Sequence, residues 1–446
     1  MLKRKIYKEL ADWKTRSNGT TALLIEGTRR VGKSYIVKQF AEAEYESYIL
    51  IDFSYVSKNL IDIFEYDKTN LDVFFMKLSV LYETKLVKRK SLIIFDEIQL
   101  YPEARQLIKQ LVADGRYDYI ETGSLLSIKQ NVKNILIPSE EEKIEMFPLD
   151  FEEFLWAIGD NVSYDALKLF LKELKPLGKS IHQKLMTKFR LYMIVGGMPQ
   201  SINAYLETND FDEVERIKTN ILNLYRSDIA KFANGYANNV TAIFDQIPSQ
   251  LARKEKKFML STISKDAKSR TYEDAFMWLI EAKIVNPCYN TTDPNTGLAM
   301  SGDYSSLKLY MGDIGLLLTL SLKDNNQMKQ ELYNNLLLND ININQGMFAE
   351  SVVAQQLVSS GHKLFFYSKT DREDSQNTME IDFIISKEQK LIPLEVKSGR
   401  YRSVRSLEKF HNKYKRRIGK RIVLHIKDIN ESNGVIYLPI YMVGLL

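Results

Sequence analysis

Between residues 22 and 147 short apolar runs alternate with amphipathic stretches. The runs Ala22–Glu26, Tyr48–Phe53, Leu92–Phe95, Tyr117–Thr122 and Lys143–Phe147 predict strands, and the stretches between them predict helices. Such alternation predicts an α/β unit, a mainly parallel sheet with helices on both faces. Ahead of it, Ile6, Leu10 and Trp13 recur at helical spacing in a charged segment. After Pro148 the strand signals stop, and 149 to about 256 reads as helices broken by a turn at Gly196-Gly197-Met198-Pro199. Thr271 and Asp274 then form a capping-box pattern ahead of Ala275, Trp278, Leu279 and Ile280. Two strand-like runs follow, Ile284–Tyr289 and Leu307–Met311, so helices lead into a hairpin, the order of a winged helix. Beyond an Asn-rich stretch comes a last helix, Gly346–Ser360, and strands Lys363–Tyr367, Glu380–Ile385, Ile392–Val396 and Arg421–Ile426. The expected organisation is an α/β domain at 1–148, a helical region at 149–256 and a winged helix at 257–321. A polar linker at 322–345 and an α/β domain at 346–446 complete it.

Composition narrows the setting. At 446 residues the chain is too long for one ordinary core. Hydrophobic residues at 45% and charged ones at 27% describe a globular protein, and no apolar run is long enough to span a bilayer. One cysteine, Cys288, excludes an internal disulfide, and four scattered histidines offer no zinc cluster. With no signal-peptide pattern at Met1-Leu2-Lys3-Arg4-Lys5, the expected location is the cytoplasm, with no membrane partner. A formal charge of +5 permits a polyanionic partner without demanding one, so the distribution of charge matters more than its sum.

The first candidate site follows the first strand. Gly27-Thr28-Arg29-Arg30-Val31-Gly32-Lys33-Ser34 has the spacing of a phosphate-binding loop between a strand and a helix. Its backbone N–H groups would cradle ATP phosphates, Lys33 would reach the β and γ phosphates, and Ser34 would ligate Mg2+. The strand ending in Asp96-Glu97 supplies two carboxylates: Asp96 to hold Mg2+ and Glu97 to orient or deprotonate the attacking water. Ser124, after the strand ending at Thr122, would contact the γ-phosphate, or simply cap a turn. Arg116, Arg190 and Arg226 are available as an arginine finger, and a neighbouring subunit could supply it instead, which leaves a homo-oligomer open.

These residues resemble the AAA-type P-loop ATPases, in particular a prokaryotic subgroup. The resemblance is carried by Glu26 to Ser34, Ile94-Phe95-Asp96-Glu97-Ile98-Gln99, Thr122-Gly123-Ser124, Phe147 to Phe154 and Gly196-Gly197-Met198-Pro199. It implies that the strand ending at Thr122 lies between the loop strand and the Asp96 strand. Thr28 stands where the subgroup more often has Pro.

The tail carries the second candidate site. Asp382 lies on one strand, and Glu395 and Lys397, two apart, share a face of the next. Glu350 on the preceding helix adds a carboxylate. Two acids and a lysine suit a second Mg2+ or Mn2+ and a water for phosphodiester attack. The pattern Asp382…Glu395-x-Lys397 resembles the restriction-endonuclease-like fold, which implies an association with DNA; a degenerate fold that only binds fits the same residues. From Lys397 to Arg421 eleven basic residues, with Tyr401, Phe410 and Tyr414 interleaved, favour a phosphate backbone over a merely solvated helix face. Arg253, Lys265, Lys268 and Arg270 near the expected winged helix would add phosphate contacts. Together these readings suggest an ATP-hydrolysing protein that couples nucleotide state to DNA binding or cleavage. The competing reading is a switch or adaptor without nuclease activity.

Overall fold

The computed structural model describes residues 2–124, 138–253, 257–263, 269–295, 297–322, 333–334, 336–337, 345–369, 378–399 and 404–446. They fall into two compact units. One comprises Arg4–Phe147 with Glu281–Lys283; the other comprises residues 1–3, Pro148–Ile280 and Ile284–Leu446.

In the unit around Arg4–Phe147, strands β1 (Ala22–Glu26), β2 (Ser47–Asp52), β3 (Ser91–Asp96), β4 (Asp118–Gly123) and β5 (Glu141–Glu145) form one sheet in the order β2-β3-β4-β1-β5. Every pairing is parallel. The expected parallel sheet is present, with β4 between β1 and β3. The last strand begins two residues earlier than the apolar pattern suggests, because Ala22 pairs with Glu141 in a polar stretch. Helices cover both faces. Leu23, Ile25, Leu92, Ile94 and Ile120 pack against α1 (Ile6–Ser17) and α2 (Lys33–Glu44). Leu24, Ile49, Ile51, Ile93 and Phe95 pack against α3 (Lys58–Tyr66), α4 (Leu71–Leu81) and α5 (Pro102–Asp114). Burial on both faces explains why the strands read as continuous apolar runs.

The other unit opens with α6 (Phe151–Ala157), α7 (Ser163–Glu173), α8 (Lys179–Val195), α9 (Pro199–Thr208), α10 (Phe211–Phe232) and α11 (Ala237–Leu251). Asp150 caps α6 in a reciprocal capping box with Glu153, which fixes where the helical region starts. Between α8 and α9 the Gly196-Gly197 turn is a packing junction. Gly196 has φ of 81°, and the Asp313 carboxylate accepts the Gly197 N–H at 2.6 Å. A Cβ at Gly197 would collide with the Leu149 carbonyl, so neither glycine is replaceable without a shift.

The expected winged helix is not a separate module. Helix α12 (Ser269–Glu281) starts ahead of Thr271, so Thr271 is no N-cap; its Ala275, Trp278 and Leu279 are buried. The hairpin β6 (Val285–Thr291) and β7 (Gly302–Met311) does form, but β6 pairs in parallel with β8 (Leu364–Lys369). It thereby joins β9 (Met379–Lys387), β10 (Lys390–Lys397), β11 (Arg421–His425), β12 (Asn430–Ser432) and β13 (Val435–Pro439) in one sheet, ordered β12-β13-β11-β10-β9-β8-β6-β7. The 257–321 boundary therefore divides a continuous sheet, and most of the 322–345 stretch lies outside the described residues. Three further helices belong to this unit: α13 (Ile314–Ser321), α14 (Gln345–Ser359) and α15 (Arg405–Tyr414). Among the described residues no helix is long and apolar enough to cross a membrane.

Candidate functional site

The parallel sheet of the first unit places the carboxyl ends of β1, β3 and β4 side by side, the edge where open α/β sheets bind ligands. From the end of β1 the chain turns through Gly27 to Gly32 into α2. Gly27 has φ of 159°, and a Cβ there would meet the Met146 carbonyl; Gly32 has φ of 99° as the residue preceding α2. Lys33 is buried, and its ammonium donates to the Gly27 carbonyl at 2.8 Å and the Thr28 carbonyl at 3.0 Å. Burial pulls its pKa down to about 8, against the opposing pull of Glu97 and Asp96.

Asp96 ends β3 beside the loop. The Ser34 hydroxyl donates to Asp96 Oδ1 at 2.8 Å, and the Thr122 hydroxyl donates to the same oxygen. Two hard oxygen groups thus share one point at the loop's base, a donor set that suits Mg2+ once phosphate oxygens complete it. Glu97 stands in the left-handed region at φ of 55° and accepts from the Gln99 amide. Ser124 is buried at the end of β4. Arg29 is half-buried and Arg30 exposed; Thr28 and Val31 are buried.

Sequence reasoning missed two supports of this site. The Arg4 guanidinium donates to the Val31 carbonyl at 3.1 Å and the Phe147 carbonyl at 2.6 Å, tying the loop to the chain after β5. Arg105 forms a bidentate pair with Glu141 at 2.9 and 2.7 Å, with Glu121 at 3.8 Å. Burial, then repulsion from Glu141, pushes the Glu121 carboxyl well above the usual range. Alternation gave no hint of a buried cation in α5, because only the tertiary partner on β5 reveals it. Arg116 is corrected as a finger candidate: it pairs with Asp114 at 2.7 Å and Asp72 at 2.6 Å, ahead of β4 and at the sheet edge opposite the loop. Arg226 pairs with Asp245 at 2.5 Å, and Arg190 belongs with it to the other unit.

In that other unit the expected acid–lysine cluster assembles in part. The β9–β10 ladder stops at Phe383 opposite Leu394, and just beyond it Asp382 Oδ2 accepts the Val396 N–H at 2.8 Å. Glu395 is buried and contacts Lys397 Nζ at 2.7 Å; burial raises its pKa while Lys397 opposes the rise. Glu350 is buried on α14 and accepts from the Tyr310 hydroxyl at 3.3 Å.

The sequence did not single out Lys308, buried on β7. It sits 3.1 Å from Glu380 and 4.6 Å above the Phe366 ring. Burial pulls its pKa down, but Glu350, Glu380 and Asp382 outweigh that and hold it above the ordinary lysine range. The acids are therefore balanced by lysines. Among the described residues no three acidic, histidine or cysteine side chains are arranged to hold a metal ion, so the expectation that Glu350, Asp382 and Glu395 hold a second metal finds no support in this arrangement.

The basic run divides as well. Phe410 is fully buried and Tyr414 packs on Tyr367 and Phe410, so these aromatics serve the core instead of stacking on bases. Arg417 pairs with Asp293 at 2.5 Å and Arg421 donates to the Asn433 carbonyl at 2.8 Å. Lys415, Arg416 and Lys420 are exposed. Arg400, Tyr401, Arg402, Lys265 and Lys268 lie outside the described residues, as does the Arg270 side chain.

Comparison with known proteins fits this division. The family described as an AAA domain matches residues 19–155. Two domains of unknown function match residues 186–327 (DUF8612) and 345–443 (DUF4143). No curated protein matches the sequence. Among solved structures, the Walker-type ATPase of Pyrococcus abyssi is similar at 13% identity over 72% of this chain and 96% of its own, with a TM-score of 0.43. The Aeropyrum pernix ORC1 protein in complex with DNA is similar at 9% identity over 71% and 91%, with a TM-score of 0.28. Drosophila ORC bound to DNA gives 11% over 73% and 96%, with a TM-score of 0.28. The matched AAA domain and the loop geometry make the first unit a P-loop ATPase domain.

Proposed function

We propose that the chain hydrolyses ATP at this loop and uses its nucleotide state to govern DNA binding by the unit that carries β6–β13. The observation that carries the first half is the convergence of Ser34 and Asp96 at 2.8 Å beneath a loop whose lysine is already seated on its own carbonyls. An incoming β-phosphate would replace those carbonyls as the partner of Lys33, and the loop N–H groups would receive the remaining charge. Mg2+, held by Ser34 and Asp96, would neutralise charge on the β and γ oxygens. Glu97 would orient the attacking water and take its proton.

For the tail, binding is favoured over cleavage by one observation: Lys308, a buried ammonium outside the acid–lysine pattern, already compensates Glu350, Glu380 and Asp382. Exposed Lys415, Arg416 and Lys420 would meet phosphates. The test is DNA affinity across a salt series with ATP or ADP bound. The triple substitution of these residues to Ala should weaken binding and flatten the salt slope by about 2–3 units. Equal affinity and slope in both proteins, or identical affinity with both nucleotides, would contradict the reading.

A further inference from the structure

The unit that carries β6–β13 contains a cavity of about 100 Å³ that none of the chemistry above uses. It opens at the carboxyl ends of three mutually parallel strands, where Ser398 follows β10, Ile426 follows β11 and Ile440 follows β13. That edge is where parallel sheets place ligands. Phe189 and Met193 of α8, Leu318 of α13 and Phe348 of α14 make its walls apolar. The exceptions are Arg190, from α8, and the Ser398 hydroxyl.

Arg190 is half-buried, and it has no hydrogen-bond or ion-pair partner among the described residues. Burial alone lowers its pKa. Its half-buried guanidinium lies at an apolar cavity with no carboxylate paired to it among the described residues, which leaves its fork open to an anion. A ligand with an aliphatic body and an anionic head would fill the walls and satisfy that fork. We infer that this cavity binds an aliphatic carboxylate of the fatty-acid type, its chain among Phe189, Met193 and Leu318 and its carboxylate on Arg190 and Ser398.

Calorimetry of the intact protein with decanoate, decanol and acetate tests this. Decanoate should bind, acetate should not, and Arg190→Gln should weaken decanoate at least tenfold while leaving decanol unchanged. Leu318→Trp, which fills the chain site, should abolish decanoate binding. Because Arg190 has no partner among the described residues, Arg190→Gln should melt at the wild-type temperature, so weaker binding cannot be ascribed to unfolding. No decanoate binding by the wild type would overturn the assignment. So would decanoate affinity indifferent to Arg190→Gln, and so would loss of ATP hydrolysis in that variant with decanoate binding intact, which would make Arg190 a finger instead.

Discussion

Lys33 is the residue on which the phosphate site turns, and its environment makes a titration prediction possible. Burial sets its pKa near 8 in the absence of phosphate, below the ordinary lysine value. Phosphate charge would raise it again, so the nucleotide-bound protein holds a proton that the free protein has partly released above that pH. ATP binding at about pH 9 should therefore take up protons, and at about pH 7 it should take up almost none. Calorimetry in buffers of different ionisation enthalpy measures this directly, and Lys33→Met should remove the difference. Lys308 is the opposite case, a buried ammonium kept charged by Glu350, Glu380 and Asp382. Lys308→Met strands those carboxylates and should cost about 3–5 kcal/mol in urea denaturation. A loss under about 1 kcal/mol would show that the acids are not balanced by it.

At the scale of elements, the hairpin β6–β7 belongs to the tail's sheet. Cys288, Tyr289 and Asn290 pair with Leu364, Phe365 and Phe366, so residues 345–446 alone would expose the edge of β8. That fragment should aggregate or show poor amide dispersion, whereas residues 148–446 should give a cooperative melt. A well-folded 345–446 fragment would contradict the continuous sheet. The same elements show what could be read in advance. The strands around the loop were legible because burial on both faces makes each one an apolar run, and Asp96-Glu97 and the loop stood at their ends. The hairpin was legible as a hairpin, yet its membership in a sheet was not. A parallel pairing between Cys288 and Leu364 leaves no local trace across so long a separation. Strand β12 is fully exposed and short, with none of the alternation that marks a half-buried strand. Lys308 was hidden by the alternation rule itself: Leu309 implies that its neighbours face water, but β7 is buried on both faces here. At the second candidate site, Glu395 and Lys397 met as their spacing suggests, but the balancing lysine came from a distant strand.

For the molecule as a whole, a net charge of +5 is too small to define a partner, and part of the basic run is spent on internal pairs such as Arg417 with Asp293. What the chain most clearly has is a phosphate-binding loop with Lys33, Ser34, Asp96 and Glu97 gathered at one sheet edge, and everything proposed about coupling depends on turnover there. The most direct test is steady-state ATP hydrolysis with Mg2+, comparing the wild type with Lys33→Ala and Glu97→Gln and measuring nucleotide binding alongside. The expected result is hydrolysis by the wild type only. Lys33→Ala should lose binding as well, whereas Glu97→Gln should bind ATP with turnover reduced about 10²-fold or more. Undiminished hydrolysis by Lys33→Ala, or a wild type that neither binds nor hydrolyses ATP, would contradict the account.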